Sequence, residues 1–400
     1  MIKEIKQEHI KDIESFPWYK DVFIDNTTIT YKNINFSEKI ILFSANHIRY
    51  NNQLFQYNDK APNLQIKNLP IQKKNIHFEN CTFSKLTIQD ISKDMEKINI
   101  IGGKIGELNI INSTINSKFY INRQNEKEII IDILKVKDSI FQENFKLYNA
   151  RVNSISIEDT DFEKYADFCM SKFIKGTLLE NKEEKISKND IGFKYIKFKG
   201  SALFGGTEFH KKIIFKFVTF EDFVHLRKSK IYEGLDLDDS NIKDEMNFFD
   251  IKKLDKPKAQ KNTSQETFRI IKFNFQKMGN TIEANKYHSF ELAKRKDNVC
   301  SNYKVLDCLT SFFHKYSSVY STNWLLALMW IIVVGVLTTL FLDKDVCDIN
   351  NIAHYMTIFN RFDSFEVDES INYIVFIFNK ILLGYLYYQF LTAIRKDTRK

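Results

Sequence analysis

A rhythm in the apolar residues constrains this chain more than any other feature. In LFGGTEFHKKIIFKFVTF, Leu203 to Phe220, the aromatic residues Phe204, Phe209, Phe215 and Phe220 are separated by gaps of five, six and five. A helix repeats every 3.6 residues and a strand every 2, so neither accounts for the spacing. Written as apolar-x-x-small-x-apolar, the unit recurs as FKYIKF from Phe193, FGGTEF from Phe204, FKFVTF from Phe215, LRKSKI from Leu226 and LDDSNI from Leu237. Phe248 falls on the next start, and each start lies 11 residues after the last. Ile196 and Val218 occupy the small slot in two copies.

Upstream the pattern continues as VKDSIF from Val136, LYNARV from Leu147, IEDTDF from Ile157 and FCMSKF from Phe168. The charged stretch at 176–190, GTLLENKEEKISKND, reads as an insertion that loops out. Weaker, irregularly spaced copies are IDNTTI from Ile24, FSANHI from Phe43, FENCTF from Phe78, IIGGKI from Ile100 and IINSTI from Ile110. A fixed period marks a solenoid, in which a unit buries its apolar side only by stacking on its neighbours. With one plug per short side, four sides make a turn of about 20 to 22 residues, stacked at the ~4.8 Å strand spacing. Residues 136–250 then form about five coils. The expected core is Phe193, Phe198, Phe204, Phe209, Phe215, Phe220, Leu226, Ile231, Leu237, Ile242 and Phe248. An ordinary β-rich domain would need period-2 alternation and turn dipeptides, and both are sparse.

This pattern resembles the pentapeptide-repeat proteins, which fold as a right-handed, four-sided β-helix. The resemblance is best over 136–250 and degenerate before it, and the chain departs from the family in its frequent six-residue sides. Some members mimic DNA with an acidic surface. Here 136–250 carries 19 Lys+Arg against 21 Asp+Glu, so neither that role nor a basic nucleic-acid face is expected. The net charge of +8 lies elsewhere, much of it beside apolar segments of the last third.

The repeats, assigned to 21–250 after an N-terminal segment 1–20, end in a charged linker, 251–263. A helical hairpin is expected over 264–298. Thr263 and Glu266 suggest a capping box, Phe268, Ile271, Phe275 and Met278 recur at helical spacing, and Gly279-Asn280 is a stop. The second helix runs from about Thr281 to Lys296 with Ala284, Tyr287 and Phe290 inward, resembling one tetratricopeptide unit. Glu283, His288 and Glu291 read as solvent-facing or capping groups and not as metal ligands. The five cysteines form no CxxC pair and read as reduced thiols. MIKEIKQEHIKDIE has no apolar run, so no cleavable signal peptide is expected.

Two segments are suited to lipid. WLLALMWIIVVGVLTTLFL, 324–342, is 19 residues without a charge, ~28 Å long as a helix, with Trp324 at its mouth. The second, 371–394, is interrupted only by Asn372, Asn379, Lys380 and Gln389. Residues 303–316 suggest an interfacial amphipathic helix. The loop 343–370 carries seven acidic and two basic residues, whereas basic residues precede the first span and form the tail 395–400. The positive-inside rule then puts both termini in the cytoplasm and the loop outside. Asn372, Asn379, Lys380, Gly384 and Tyr387 share one helical face, which makes them pore-lining or interhelix candidates, with snorkelling as the alternative for Lys380.

The order of repeat domain, hairpin, two spans and GYLYYQFLTAIRKDTRK resembles pentapeptide-repeat membrane proteins with a two-helix, ion-channel-like C-terminus. That resemblance implies a homo-oligomer, since two helices cannot enclose a pore. The loop has no TVGYG-like filter, so potassium selectivity does not carry over, although 351–362 suits a short pore helix or re-entrant segment. No phosphate loop, nucleophile elbow, zincin or kinase motif occurs, so no catalytic residue, metal or cofactor is expected. The expectation is a mainly β protein: a right-handed pentapeptide-type β-helix, a helical hairpin and two transmembrane helices. It would sit in a bacterial-type inner membrane as an oligomeric channel or gated pore, with a solenoid offered to a cytoplasmic protein partner. A membrane-anchored scaffold and a pore-forming defence effector are the alternatives.

Overall fold

The computed structural model describes strands at 2–4, 22–24, 28–32, 35–44, 47–51 and 63–66. It then describes residues 75–89, 91, 96–123, 128–176, 189–301, 305–342, 346–358 and 370–398. The bulk of 1–20 and of the insertion 176–190 lies outside these residues. The chain divides into two units, 1–267 and 268–400.

The first unit is a parallel β-solenoid of about 7 turns. Its register gives the length of a turn. Phe193 pairs with Phe215, Ile213 with Leu235 and Val224 with Met246, each 22 residues on. Ile131 pairs with Val152, a turn of 21. Where the charged insertion falls, Ile157 pairs with Phe193 and Phe173 with Phe209, so the step lengthens to 36 while the register is kept. A smaller excess at 123–128 sets Phe119 against Phe145, 26 residues on. The copies IDNTTI and FSANHI behave otherwise. Ile24 faces Ile29 and Phe43 faces Ile48 in antiparallel pairs, so these two stretches are hairpin-like and not coil corners.

Nearly every regular unit turns left-handed at its third position, Asp239 of LDDSNI being the exception. Asn80, Gly102, Asn112, Asp138, Asn149, Asp159, Met170, Tyr195, Gly206, Phe217, Lys228 and Asp250 all have φ between 46° and 67°. Asn, Asp and Gly tolerate this left-handed region best. The small residue that follows is buried in most units, and in several its hydroxyl donates to a carbonyl one turn below. Ser171 reaches Leu147 O (2.7 Å), Ser229 reaches Phe204 O (2.9 Å), Thr207 reaches Phe168 O (2.9 Å) and Ser113 reaches Ile88 O (3.2 Å). The slot therefore selects Ser and Thr for a hydrogen bond as well as for size.

Inside the bore, apolar plugs stack in columns. Phe141, Phe162, Phe198 and Phe220 form one column with ring centroids 5.0, 5.0 and 5.3 Å apart, close to the ~4.8 Å between strands. Of the eleven core positions named above, ten are fully buried. Ile242, in the last turn, is half-buried. Outside, charges alternate between turns. Glu107 lies between Lys85 and Lys135, and Glu221 between Lys197 and Lys243. Such ladders match the near-zero net charge of the repeats. For Glu107, burial opposes ionisation, but Asn109 and Lys135 outweigh it and hold the carboxyl below its usual range.

The stack is closed by side chains from α1 (Pro257–Asn262) and the start of α2 (Gln265–Lys277). Thr263 Oγ1 accepts from Leu235 N (3.1 Å) and Thr267 Oγ1 from Leu237 N (2.9 Å), where a further turn would supply carbonyls. Exposed sheet edges invite pairing with other chains, and these hydroxyls blunt this one. Thr263 is thus not the helix cap that the spacing predicts. Ser264 is, with its Oγ accepting from Thr267 N at 3.0 Å.

The second unit holds the rest of α2 with α3 (Thr281–Ser301), α4 (Val305–Ser318), α5 (Trp324–Phe341), α6 (Ile349–Met356) and α7 (Ser370–Thr398). Helices α2 and α3 form the hairpin, with Phe268, Ile271, Phe275, Ala284 and Tyr287 buried and Met278 exposed. Glu291 is not solvent-facing. It is buried and bonds Arg269 Nε (3.0 Å), Lys272 Nζ (2.7 Å) and His288 Nδ1 (3.3 Å). The thiols of Cys300 and Cys308 are not separate either. The short link from α3 to α4 brings their Cα atoms to 5.0 Å and they form a disulfide. Cys81, Cys169 and Cys347 take part in no disulfide.

Candidate functional site

Helices α5 and α7 pack through Ile331, Val334, Leu383 and Leu386. Each is long and apolar enough to cross a membrane. Only 33% of the apolar window of α5 and 28% of that of α7 is buried, whereas the core helix of a soluble protein would be mostly covered. Leu325, Ile332, Leu337 and Phe341 on α5, and Ile374, Phe378, Ile381 and Leu391 on α7, are exposed.

Against this pair lies α6, whose eight residues are too few to cross a bilayer. Asp348 caps its start by accepting from Asn350 N at 2.9 Å. It approaches α5 at Gly335, where a Cβ would come within 2.4 Å of Met356 Cγ. Gly335 is eleven residues into α5, ~17 Å from Trp324, so the end of α6 reaches well into the depth of the spans.

A helix end there leaves carbonyls without partners, and lipid offers none. Three consecutive carbonyls of α6 are satisfied by α7. Asn379 Nδ2 donates to Tyr355 O (3.4 Å), Tyr387 Oη to Met356 O (3.1 Å) and Lys380 Nζ to Thr357 O (2.5 Å). Asn379 Nδ2 also donates to Thr338 Oγ1 of α5 at 2.7 Å. Lys380 Nζ lies 4.8 Å from the Phe376 ring centroid, within cation–π range.

The polar face read from the sequence is therefore largely committed within one chain. Of the five candidates, Asn379, Lys380 and Tyr387 converge on the end of α6. Gly384 has open space where a Cβ would stand, and the side chain of Asn372 lies outside the described residues. The carbonyls they hold could not be read from residue types, because a backbone acceptor leaves no residue-type signature.

A second polar cluster sits at the other end of the spans. The link from α4 to α5 runs through Val319, Tyr320 and Ser321, with φ of 49°, 61° and 59°. Three successive non-glycine residues in this region are costly, since left-handed residues usually occur singly. The turn is held from several sides. Gln389 Oε1 accepts from Ser318 Oγ (2.9 Å) and Ser321 Oγ (2.6 Å), and Lys396 Nζ donates to Tyr320 O (3.3 Å). His314 Nε2 lies 3.0 Å from Ser321 Oγ, and burial followed by Lys396 pushes its pKa down. Preceding the turn, α4 exposes Val305, Leu306, Leu309, Phe312, Phe313 and Tyr316, the amphipathic character expected for 303–316.

Compared with known proteins, the chain matches no family, no curated protein and no solved structure. Fold and site together fit the class of membrane-associated solenoid proteins. What such a protein does must be argued from its own residues.

Proposed function

We propose that this chain is a multi-pass inner-membrane protein of the pentapeptide-repeat kind, in which α5, α6 and α7 from several copies surround a gated pore. The solenoid and both termini lie in the cytoplasm, α4 lies at the lipid interface, and the chain is not an enzyme. The observation that carries this reading is α6. A bilayer anchor needs a span, but not a short helix that ends at depth between two spans, nor three polar side chains committed to its carbonyls. Non-helical backbone at membrane depth is tolerated where it is buried in protein or lines a water-filled cavity, and broken helices of this kind line ion and substrate paths. The purified oligomer in planar bilayers should show discrete conductance, with Lys380→Glu shifting ion preference. Silent bilayers with properly assembled oligomers would defeat the proposal.

The scaffold reading keeps one observation of its own. Tyr195 and Phe217 stack at 5.2 Å on the outside of the solenoid, both about half exposed and both in the left-handed region. Their backbone is that of the regular corner, but exposed aromatic side chains are enriched at protein interfaces, and a protein partner seated there is compatible with either reading. Exchanging residues 320–400 for an unrelated anchor separates the two. Retained function in the cell would favour the scaffold.

A further inference from the structure

The end of α6 is built from groups that attract a cation. A helix C-terminus carries about half a unit of negative charge, and Tyr355, Met356 and Thr357 present three successive carbonyls there. Two of the bonds they receive come from neutral donors, the amide of Asn379 and the hydroxyl of Tyr387. The third comes from a full positive charge, Lys380 Nζ, which also lies over the Phe376 ring.

Asn379 adds an oxygen that nothing uses. The hydroxyl of Thr338 is already donated to Val334 O (2.8 Å), so it can only accept, and a carbonyl such as Tyr355 O can only accept. The nitrogen of the Asn379 amide must therefore face these two, which turns its oxygen the other way. That oxygen has no hydrogen-bond partner, and the side chain is 3% exposed. Lys380 Nζ does not bond it either, so this oxygen lies outside the groups that hold the ammonium.

We propose that the carbonyl end of α6 is a monovalent-cation site whose resident cation is the ammonium of Lys380. The groups that hold the ammonium are a neutral carbonyl oxygen and an aromatic face, with no carboxylate among them. That set suits a weakly hydrated alkali ion better than a divalent ion, which draws on carboxylates. With Lys380 in place the site is filled from within and free cations are excluded. Removing the ammonium leaves a vacant cation site. The inference rests on α6 being embedded between the spans, and not on whether the oligomer conducts.

The test is thermal unfolding of the detergent-purified full chain in rubidium chloride against N-methylglucamine chloride at equal ionic strength. Wild-type protein should unfold at the same temperature in both. Lys380→Met should unfold lower in N-methylglucamine, and saturating rubidium should raise it by a few degrees, as expected for a ligand specific to the folded state. Lys380→Ala should be raised likewise by ethylammonium, which restores the missing group. Lys380→Gln, which keeps a polar side chain without the charge, provides a gentler neutral variant and should show the same rubidium response. Equal unfolding temperatures in both salts for the neutral variants, an equal rubidium shift in the wild type, or failure to recover any neutral variant in either salt would overturn the proposal. A rubidium response in protein that conducts nothing would leave the site standing and remove the pore. Conductance without a rubidium response would do the reverse.

Discussion

The solenoid and the helical unit solve one problem, the burial of polar backbone, in opposite ways. In the described residues of the solenoid most backbone pairing runs to the neighbouring turn, and the same hydroxyl-to-carbonyl bond is made again and again by Ser113, Ser171, Thr207 and Ser229. No single copy is indispensable to the pattern. In the helical unit each solution occurs once. Asn379, Lys380 and Tyr387 each hold one carbonyl of α6, and Gln389 alone accepts from both Ser318 and Ser321. Repetition spreads the polar burden across neighbours, whereas the membrane-type bundle concentrates it in a few side chains.

The comparison breaks first in the bore. Phe204 is fully buried and stacks on Phe168 at 5.0 Å. Phe204→Ala should cost about 3–5 kcal/mol, read by denaturant unfolding, and hydrogen exchange should show the loss centred on the adjacent turns. A cost below about 1 kcal/mol would mean that the columns carry little of the stability.

In the helical unit, Asn379→Leu removes the donor to Tyr355 O and Thr338 Oγ1. The expected loss is about 1–3 kcal/mol, with protease access to 346–358 increased while the solenoid is unchanged. An unaltered α6 would show that its carbonyl end is held by other means.

A pH dependence sharpens the contrast between the exposed charge ladders and the buried cluster of the hairpin. At Glu291 burial opposes ionisation, but hydrogen bonds from Lys272, Arg269 and His288 outweigh it, so the folded pKa lies below the ordinary 4.5. A depressed carboxylate contributes stability that is present above the unfolded pKa and is lost as pH falls through the folded value. Unfolding of the hairpin should therefore become easier as pH drops below about 4.5, and Glu291→Gln should flatten that segment of the profile. A slope identical in the variant would assign the effect to other groups.

The smallest effect is expected at a corner. Lys228 has φ of 61° where Asn149 serves an equivalent corner at 53°. Lys228→Asn should stabilise the solenoid by about 0.5–1 kcal/mol, since Asn tolerates this region better. Destabilisation would show that the Lys228 side chain contributes more than its backbone costs.

The same contrast explains what the sequence disclosed. The 11-residue step announced half a turn, and pairs such as Phe193 with Phe215 complete it at 22. The insertion at 176–190 was visible because it interrupts a period. A further signal went unused: Asn, Asp or Gly stands at the third position of most units, which is where the chain turns left-handed. Aperiodic features were harder to read. Asn379, Lys380 and Tyr387 stood out as polar groups on an apolar helix, but their partners are backbone atoms. The left-handed run at Val319, Tyr320 and Ser321 contains no glycine to betray it. Cys300 and Cys308 looked unrelated because eight positions along a chain bring two thiols together only if the link between α3 and α4 is tight.

On the proposed function, α5 and α7 cross a bilayer and α6 enters from the side opposite the solenoid. Cys347, exposed just before α6 and outside any disulfide, allows a direct measurement with a membrane-impermeant maleimide on intact cells, alongside a reporter Lys228→Cys on the solenoid. Cys347 should be labelled from outside while the solenoid reporter is labelled only after the membrane is opened. Labelling of both from the same side, or release of the chain from the membrane by carbonate alone, would contradict it.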